Sequence, residues 1–147
     1  MLAARLVRLI EEHSEELAQG LQQKLLTSER TSDLRKVPAE ELEQRTYEIY
    51  RNLSDWLLGT TENDIERRYT EVGERRARQG VAFSHFLWAI VSTRTHLCEF
   101  LQREGFVEKP MDMIGELELF QMLDQFFDRA LFYAAVGYER AAAARAA

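Results

Sequence analysis

Apolar residues recur every three or four positions along most of this chain, the period at which side chains gather on one face of a helix. From Leu2 to about Leu26 the stripe is Leu2, Leu6, Leu9, Ile10, Leu17, Leu21 and Leu25. Thr27 to Val37 loses the period, is rich in Ser, Thr, Arg and Asp, and is predicted to be the longest loop. Pro38 suits the first turn of a second helix, where its missing amide proton costs nothing. Leu42, Ile49, Tyr50, Leu53, Trp56 and Leu57 line that helix, and Gly59 is predicted to end it with a left-handed cap. Thr61, followed three residues later by Asp64, has the form of a capping box. Ile65, Tyr69 and Val72 carry the third helix to Gly80. A fourth, from about Phe83 to Glu104, presents Phe83, Phe86, Leu87, Ile90, Val91, Leu97, Cys98 and Leu101, with Gly105 closing it. Pro110 precedes the last and longest helix, from about Asp112 into an alanine tail.

No segment alternates like a strand, so the predicted fold is all-α: a single-domain bundle of about five helices over residues 1–147, with antiparallel neighbours and a long C-terminal helix. The apolar face of that last helix is built from Met113, Leu117, Phe120, Leu123, Phe127 and Leu131. Beyond Ala130 it becomes apolar on nearly every side, and a helix of that kind must be covered all round. Phe132 and Val136 lie over the otherwise polar face of Glu118, Gln121, Gln125 and Asp128. They are read as an interface, which makes a homodimer the expected assembly.

Composition narrows the partners. A net charge of −6 over 147 residues offers no general attraction to phosphate backbones or anionic lipid, so neither nucleic acid nor a membrane is expected. The single cysteine, Cys98, has no partner for an internal disulfide and no thiolate metal spacing, which fits a reducing, cytoplasmic setting. The N-terminus mixes Leu and Val with Arg5, Arg8, Glu11 and Glu12, so it lacks the apolar block of a signal peptide. The longest apolar stretch, around Ala130 to Val136, is far short of the ~20 residues a membrane span needs.

Reactive groups do not converge. His85 and His96 stand eleven residues apart on one helix, roughly 16 Å, and cannot share an ion. Both are read as residues of a solvated face. His13 lies within the first apolar stripe and is read as a hydrogen-bonded core or interface histidine, with a haem or metal ligand as the other reading. Glu-x-x-His, His-Glu-x-x-His, phosphate loops and nucleophile elbows are absent, so no enzyme, metal or cofactor is expected. The basic run Arg67, Arg68, Arg75, Arg76 and Arg78 interleaves with Glu62, Glu66, Glu71 and Glu74 and reads as a salt-bridged surface, with Arg76 nearer the apolar edge. Arg94 falls inside the fourth helix's stripe and needs partners if buried. Asp124 and Asp128 are the candidates for a structural ion pair; a small anionic ligand is the other reading.

Tyr69, Gly73, Arg76, Ala77, Gln79, Gly80 and Val81, then Phe83, Leu87, Ala89 and Arg94, resemble the N-terminal domain of RsbRD-type co-antagonists of the bacterial stress regulator RsbT. The run Phe126, Phe127, Asp128, Arg129 and Ala130, leading to Gly137, Tyr138 and Glu139, resembles the end of that domain. The resemblance implies a helical sensory or interaction module, usually placed ahead of an output domain, and brings no agreed ligand or catalytic residue. With no output domain after the alanine-rich helix, the chain is expected to signal through another chain or to be a free-standing relative. Non-haem globin-like domains in related stressosome proteins keep a globin-like arrangement open as an analogy of fold. The resulting expectation is a non-enzymatic signalling module. The alternative is a small-molecule or haem-binding bundle with a pocket near Tyr69, Arg76 and Arg94, and with His13 as a further ligand candidate.

Overall fold

The computed structural model describes residues 3–104 and 110–146, apart from the side chains of residues 111 and 112. Leu2 and Gly105 of the expected pattern lie outside them. All regular structure in this range is helical: α1 (Ala4–Glu12), α2 (Ser14–Thr27), a 3-10 helix (Glu29–Lys36), α3 (Ala39–Arg51), a π-helical turn (Asp55–Gly59), α4 (Glu62–Arg78), α5 (Phe83–Glu104) and α6 (Pro110–Ala146). The described residues thus form eight helical elements where about five were expected, and each extra break has a local cause.

The first stripe divides at His13, whose backbone leaves the helical region (φ −104, ψ 17) while its ring Nδ1 lies 2.9 Å from the Leu9 carbonyl oxygen. The supposed loop is 3-10 helical on either side of a kink at Thr31 (φ −130, ψ 17), and its buried residues, Thr31, Leu34 and the following Val37, are spaced by three, the repeat at which 3-10 side chains eclipse. Thr31 fixes that helix to α2 by donating to the Leu25 carbonyl at 2.6 Å. Pro38 stands one residue ahead of α3. Gly59 does not adopt a left-handed cap; among the described residues only Gly80 has positive φ, at 78°, where it turns the chain from α4 into α5. The Thr61–Asp64 capping box is present: the Thr61 hydroxyl accepts from Asp64 N–H at 3.3 Å, and the Asp64 carboxylate accepts from Thr61 N–H at 3.2 Å.

Consecutive long helices run antiparallel, as the Glu41–Arg76 and Glu48–Arg68 pairs show for α3 and α4, and the Phe83–Tyr138 and Arg94–Asp124 contacts show for α5 and α6. It follows that α4 and α6 run parallel, with Glu62 beside Arg129, Thr70 beside Gly137 and Ala77 beside Arg145. Their backbones approach so closely that a Cβ on Gly73 would sit 2.0 Å from the Ala134 carbonyl oxygen, and one on Gly137 would sit 2.1 Å from that of Thr70. Gly73 therefore makes room for the close approach on α4, and Gly137 provides its counterpart on α6.

One buried cluster joins the elements, and within it Tyr50 is fully buried and donates to the Thr93 carbonyl at 3.0 Å. Burial holds the Tyr50 phenol well above its ordinary pKa, so it stays a neutral donor. The π-helical turn delivers Trp56 into an aromatic group with Tyr69 and Phe126, at centroid distances of 5.9 and 5.7 Å.

The buried faces of α5 and α6 are rotated from those expected. On α5 they include Phe86, Ala89, Thr93 and His96 rather than Cys98. On α6 they include Leu119, Leu123, Phe126, Phe127, Ala130 and Ala134, leaving Met113 and Leu117 exposed. His96 is accordingly a buried residue and not part of a solvated face. Its Nδ1 accepts from Lys24 Nζ at 2.8 Å, and its ring hydrogen-bonds the Leu17 backbone. Burial first, then Lys24, hold its pKa below the ordinary value. A histidine whose folded pKa is depressed contributes stability above its unfolded pKa that is lost as pH falls below it. Wild type should therefore lose stability as pH drops below about 6.5, and His96→Gln should remove part of that dependence; urea midpoints over a pH series measure both. His85 also has a partner: its Nδ1 accepts from Asp33 N–H at 3.1 Å, while the Asp33 carboxylate accepts from Ala82 N–H at 2.8 Å.

Candidate functional site

Three helices contribute one face each to a cavity of about 80 Å³. Leu42, Arg45, Thr46 and Ile49 come from α3; Arg68, Tyr69, Val72 and Arg76 from α4; Phe86, Ala89, Ile90 and Thr93 from α5, with Leu25 and Leu34 closing one end. The α3 and α5 sets follow the i, i+3, i+4, i+7 pattern of one helix face, and on α4 Arg68, Val72 and Arg76 recur every four residues with Tyr69 three before Val72. The space exceeds by several-fold the ~10–15 Å³ that one water needs. The Thr46 and Thr93 hydroxyls donate to the Leu42 and Ala89 carbonyls of their own helices, at 3.0 and 2.8 Å, so they do not offer donors to the cavity.

The rim is cationic. Arg76 is 4% exposed and donates through one Nη to Glu41 at 3.1 Å and to Gln79 at 2.8 Å. Arg75, outside it, holds the same Glu41 carboxylate through Nε and Nη. Those contacts, Arg75's foremost and Arg76's next, outweigh desolvation and depress the Glu41 pKa from 4.5 to about 2. Arg68 pairs with Glu48 at 2.7 Å. The basic run is therefore only partly a self-paired surface. Arg67 and Arg78 do bond Asp64 and Glu74 of their own helix, whereas Arg68, Arg75 and Arg76 reach across to α3. Glu41, Glu48 and Arg45 are the site residues that sequence reasoning missed; their spacing of four and then three on one helix was the available signal.

Of the expected ligand residues, Tyr69 and Arg76 share this cavity. Arg94 and His13 lie elsewhere. Arg94 is 35% exposed, with Nη 3.6 Å from Asp124 and 3.7 Å from Asp128, and both acids are more than half exposed. Pairs so open to solvent contribute little to stability. His13 sits at the α1–α2 break, its ring 5.5 Å from that of Phe100. Phe132 is 62% exposed on the outer side of α6, and Val136 is half-buried beside it.

None of the cavity's lining residues is a histidine, cysteine or methionine. Among the described residues no group of three His, Cys, Asp or Glu side chains could hold a metal ion. No described helix is long and apolar enough to cross a membrane. The arrangement is a mostly apolar space behind a cationic rim. The family model for the N-terminal domain of the RsbT co-antagonist protein RsbRD matches residues 2–147. This chain belongs to that family. The RsbRD N-terminal domains are regulatory domains of stress-response signalling, and the resemblance drawn from Tyr69, Gly73, Arg76 and Gly80 is the same one. No curated protein and no solved structure matches the chain significantly.

Proposed function

We propose that this RsbRD-type domain is a non-enzymatic module of cytoplasmic signalling that senses or relays a signal by repacking its helices, and that the outer face of α6 is the surface it presents to a second copy of itself. The observation that carries the reading is the exposure of Leu117 at 64% and Phe132 at 62% on a helix whose inner face is clamped to α4. Met113 and Ile114 are exposed beside Leu117, and all four fall within an arc of ~100° on a 3.6-residue helix. Leu117 and Phe132 are equidistant from the Asp124–Gln125 step, about 22 Å apart along the helix. An isologous antiparallel pair would set Phe132 of one copy over Leu117 of the other. Arg94, beside Asp124 and Asp128, would reduce the like-charge repulsion at the axis.

Light scattering over a range of concentrations tests this. A dimer that becomes monomeric on Phe132→Glu or Leu117→Glu, with unchanged helical circular dichroism, is the expected result. A strictly monomeric wild type at high concentration would remove the homodimer.

A further inference from the structure

We propose that the cavity between α3, α4 and α5 binds a small amphipathic carboxylate, with its aliphatic tail among Leu42, Ile49 and Ala89 and its head on Arg45 and the Tyr69 hydroxyl. The inference goes beyond the dimer reading and does not depend on it.

Arg45 is the one guanidinium of the rim without a counter-ion among the described residues. On a helix its natural partners are Glu41, four residues before, and Glu48, three after. Both are taken: Glu41 by Arg75 and Arg76, Glu48 by Arg68. Four guanidinium groups thus share two carboxylates: partial burial strips the hydration of Arg45 and Arg68 and Arg75 press like charge on it, while Glu48 and Glu41 attract it from beyond ion-pair distance and leave it held below its ordinary pKa. A bound anion would relieve both costs.

Position agrees with charge. Arg45 lines the cavity and also borders the outer groove of Glu71, Glu74, Arg75, Arg78 and Gln79, so it stands at the mouth, where a charged head would sit while the tail enters. The Tyr69 hydroxyl hydrogen-bonds no described residue, and it lies within the fields of Arg68 and Arg45. Burial keeps that phenol protonated and therefore a donor. One unpaired guanidinium and one free hydroxyl match a singly charged carboxylate, held by charge-assisted hydrogen bonds. Below them the walls are aliphatic and aromatic, and the two threonine hydroxyls are already satisfied within their own helices, so nothing there prefers a polar tail.

Calorimetric titration of the intact chain with hexanoate, acetate and hexan-1-ol tests the proposal. Hexanoate should bind once per chain, and acetate and hexan-1-ol about tenfold or more weakly, since each lacks one half of the recognition. Arg45→Gln and Tyr69→Phe should each weaken hexanoate, the former by about tenfold, with helical circular dichroism unchanged. Ala89→Leu, which fills the cavity from the α5 wall, should abolish binding while preserving the fold. Three outcomes would overturn the proposal: a folded wild type that gives no saturable hexanoate binding, equal binding of hexanoate and hexan-1-ol, or undiminished binding by folded Ala89→Leu. Oligomeric state is read separately by light scattering, so either idea can fail without the other.

Discussion

Gly137→Ala is expected to destabilise the protein by about 3–5 kcal/mol, near the top of what a single methyl can do. The added Cβ would lie 2.1 Å from the Thr70 carbonyl oxygen and 2.8 Å from its carbon, and both are backbone atoms of a packed helix. A flexible side chain could swing aside; a carbonyl inside an α-helix cannot do so without breaking its own hydrogen bond. Relief therefore requires α4 and α6 to separate, and with them every contact that the parallel pair makes from Glu62–Arg129 to Ala77–Arg145. Gly73→Ala should behave alike, since its Cβ meets the Ala134 oxygen at 2.0 Å. Gly59→Ala is the internal control. Nothing lies within 4 Å of its added carbon, and its φ is not positive. It should be neutral or stabilising by up to ~1 kcal/mol through the unfolded chain. Thermal and urea unfolding of the three variants separate these outcomes, and a mild effect at Gly137 would mean that the two helices do not meet as closely as described.

The same glycines explain which parts of the fold could be read from the sequence. Capping at Thr61 and Asp64 and the turn at Gly80 were legible because they depend on a few adjacent residues. The faces of α5 and α6 were not, because periodicity weights large apolar side chains. The centre of the α4–α6 contact is made of small ones: Gly73 on one side, Ala130, Ala134 and Gly137 on the other. Counting Met113, Leu117 and Leu131 as the seam rotated α6 away from that line of small residues. His96 was misplaced for a related reason. Its burial depends on Gly20, whose missing side chain leaves room for the ring at 3.2 Å, and on Lys24, seventy-two residues away in sequence. At the candidate site, Tyr69 and Arg76 were legible from their helix positions. Arg45 was not, because its significance arises only when two glutamates next to it on α3 are drawn away by α4. That competition is tertiary: the spacing on α3 alone marks Arg45 as a partner of those glutamates and does not show that they are drawn away.

Glu41 is where that competition has its largest energetic consequence. Glu41→Ala is expected to cost about 3–4 kcal/mol, because it strands the Arg76 guanidinium, 4% exposed, without its carboxylate. The Gln79 oxygen at 2.8 Å remains as a neutral acceptor, which places the loss toward the lower end of the range for breaking a buried pair. Arg75→Ala should cost under ~1 kcal/mol, since Arg75 is half-exposed and leaves Glu41 still bonded to Arg76 and Gln79. Combining Glu41→Gln with Arg76→Met should recover much of the single-variant loss, as removal of both charges usually does. The acid limb of the stability curve gives an independent check. Because the folded-state pKa of Glu41 is depressed from 4.5 to about 2, its contribution is complete above 4.5 and fades as pH falls toward 2. Wild type should therefore lose its advantage over Glu41→Gln across that window, and the two curves should approach each other at its acid end. Curves that stay parallel from neutral pH down would show that Glu41 carries no such pairing, and that Arg76 is held in the interior by something else.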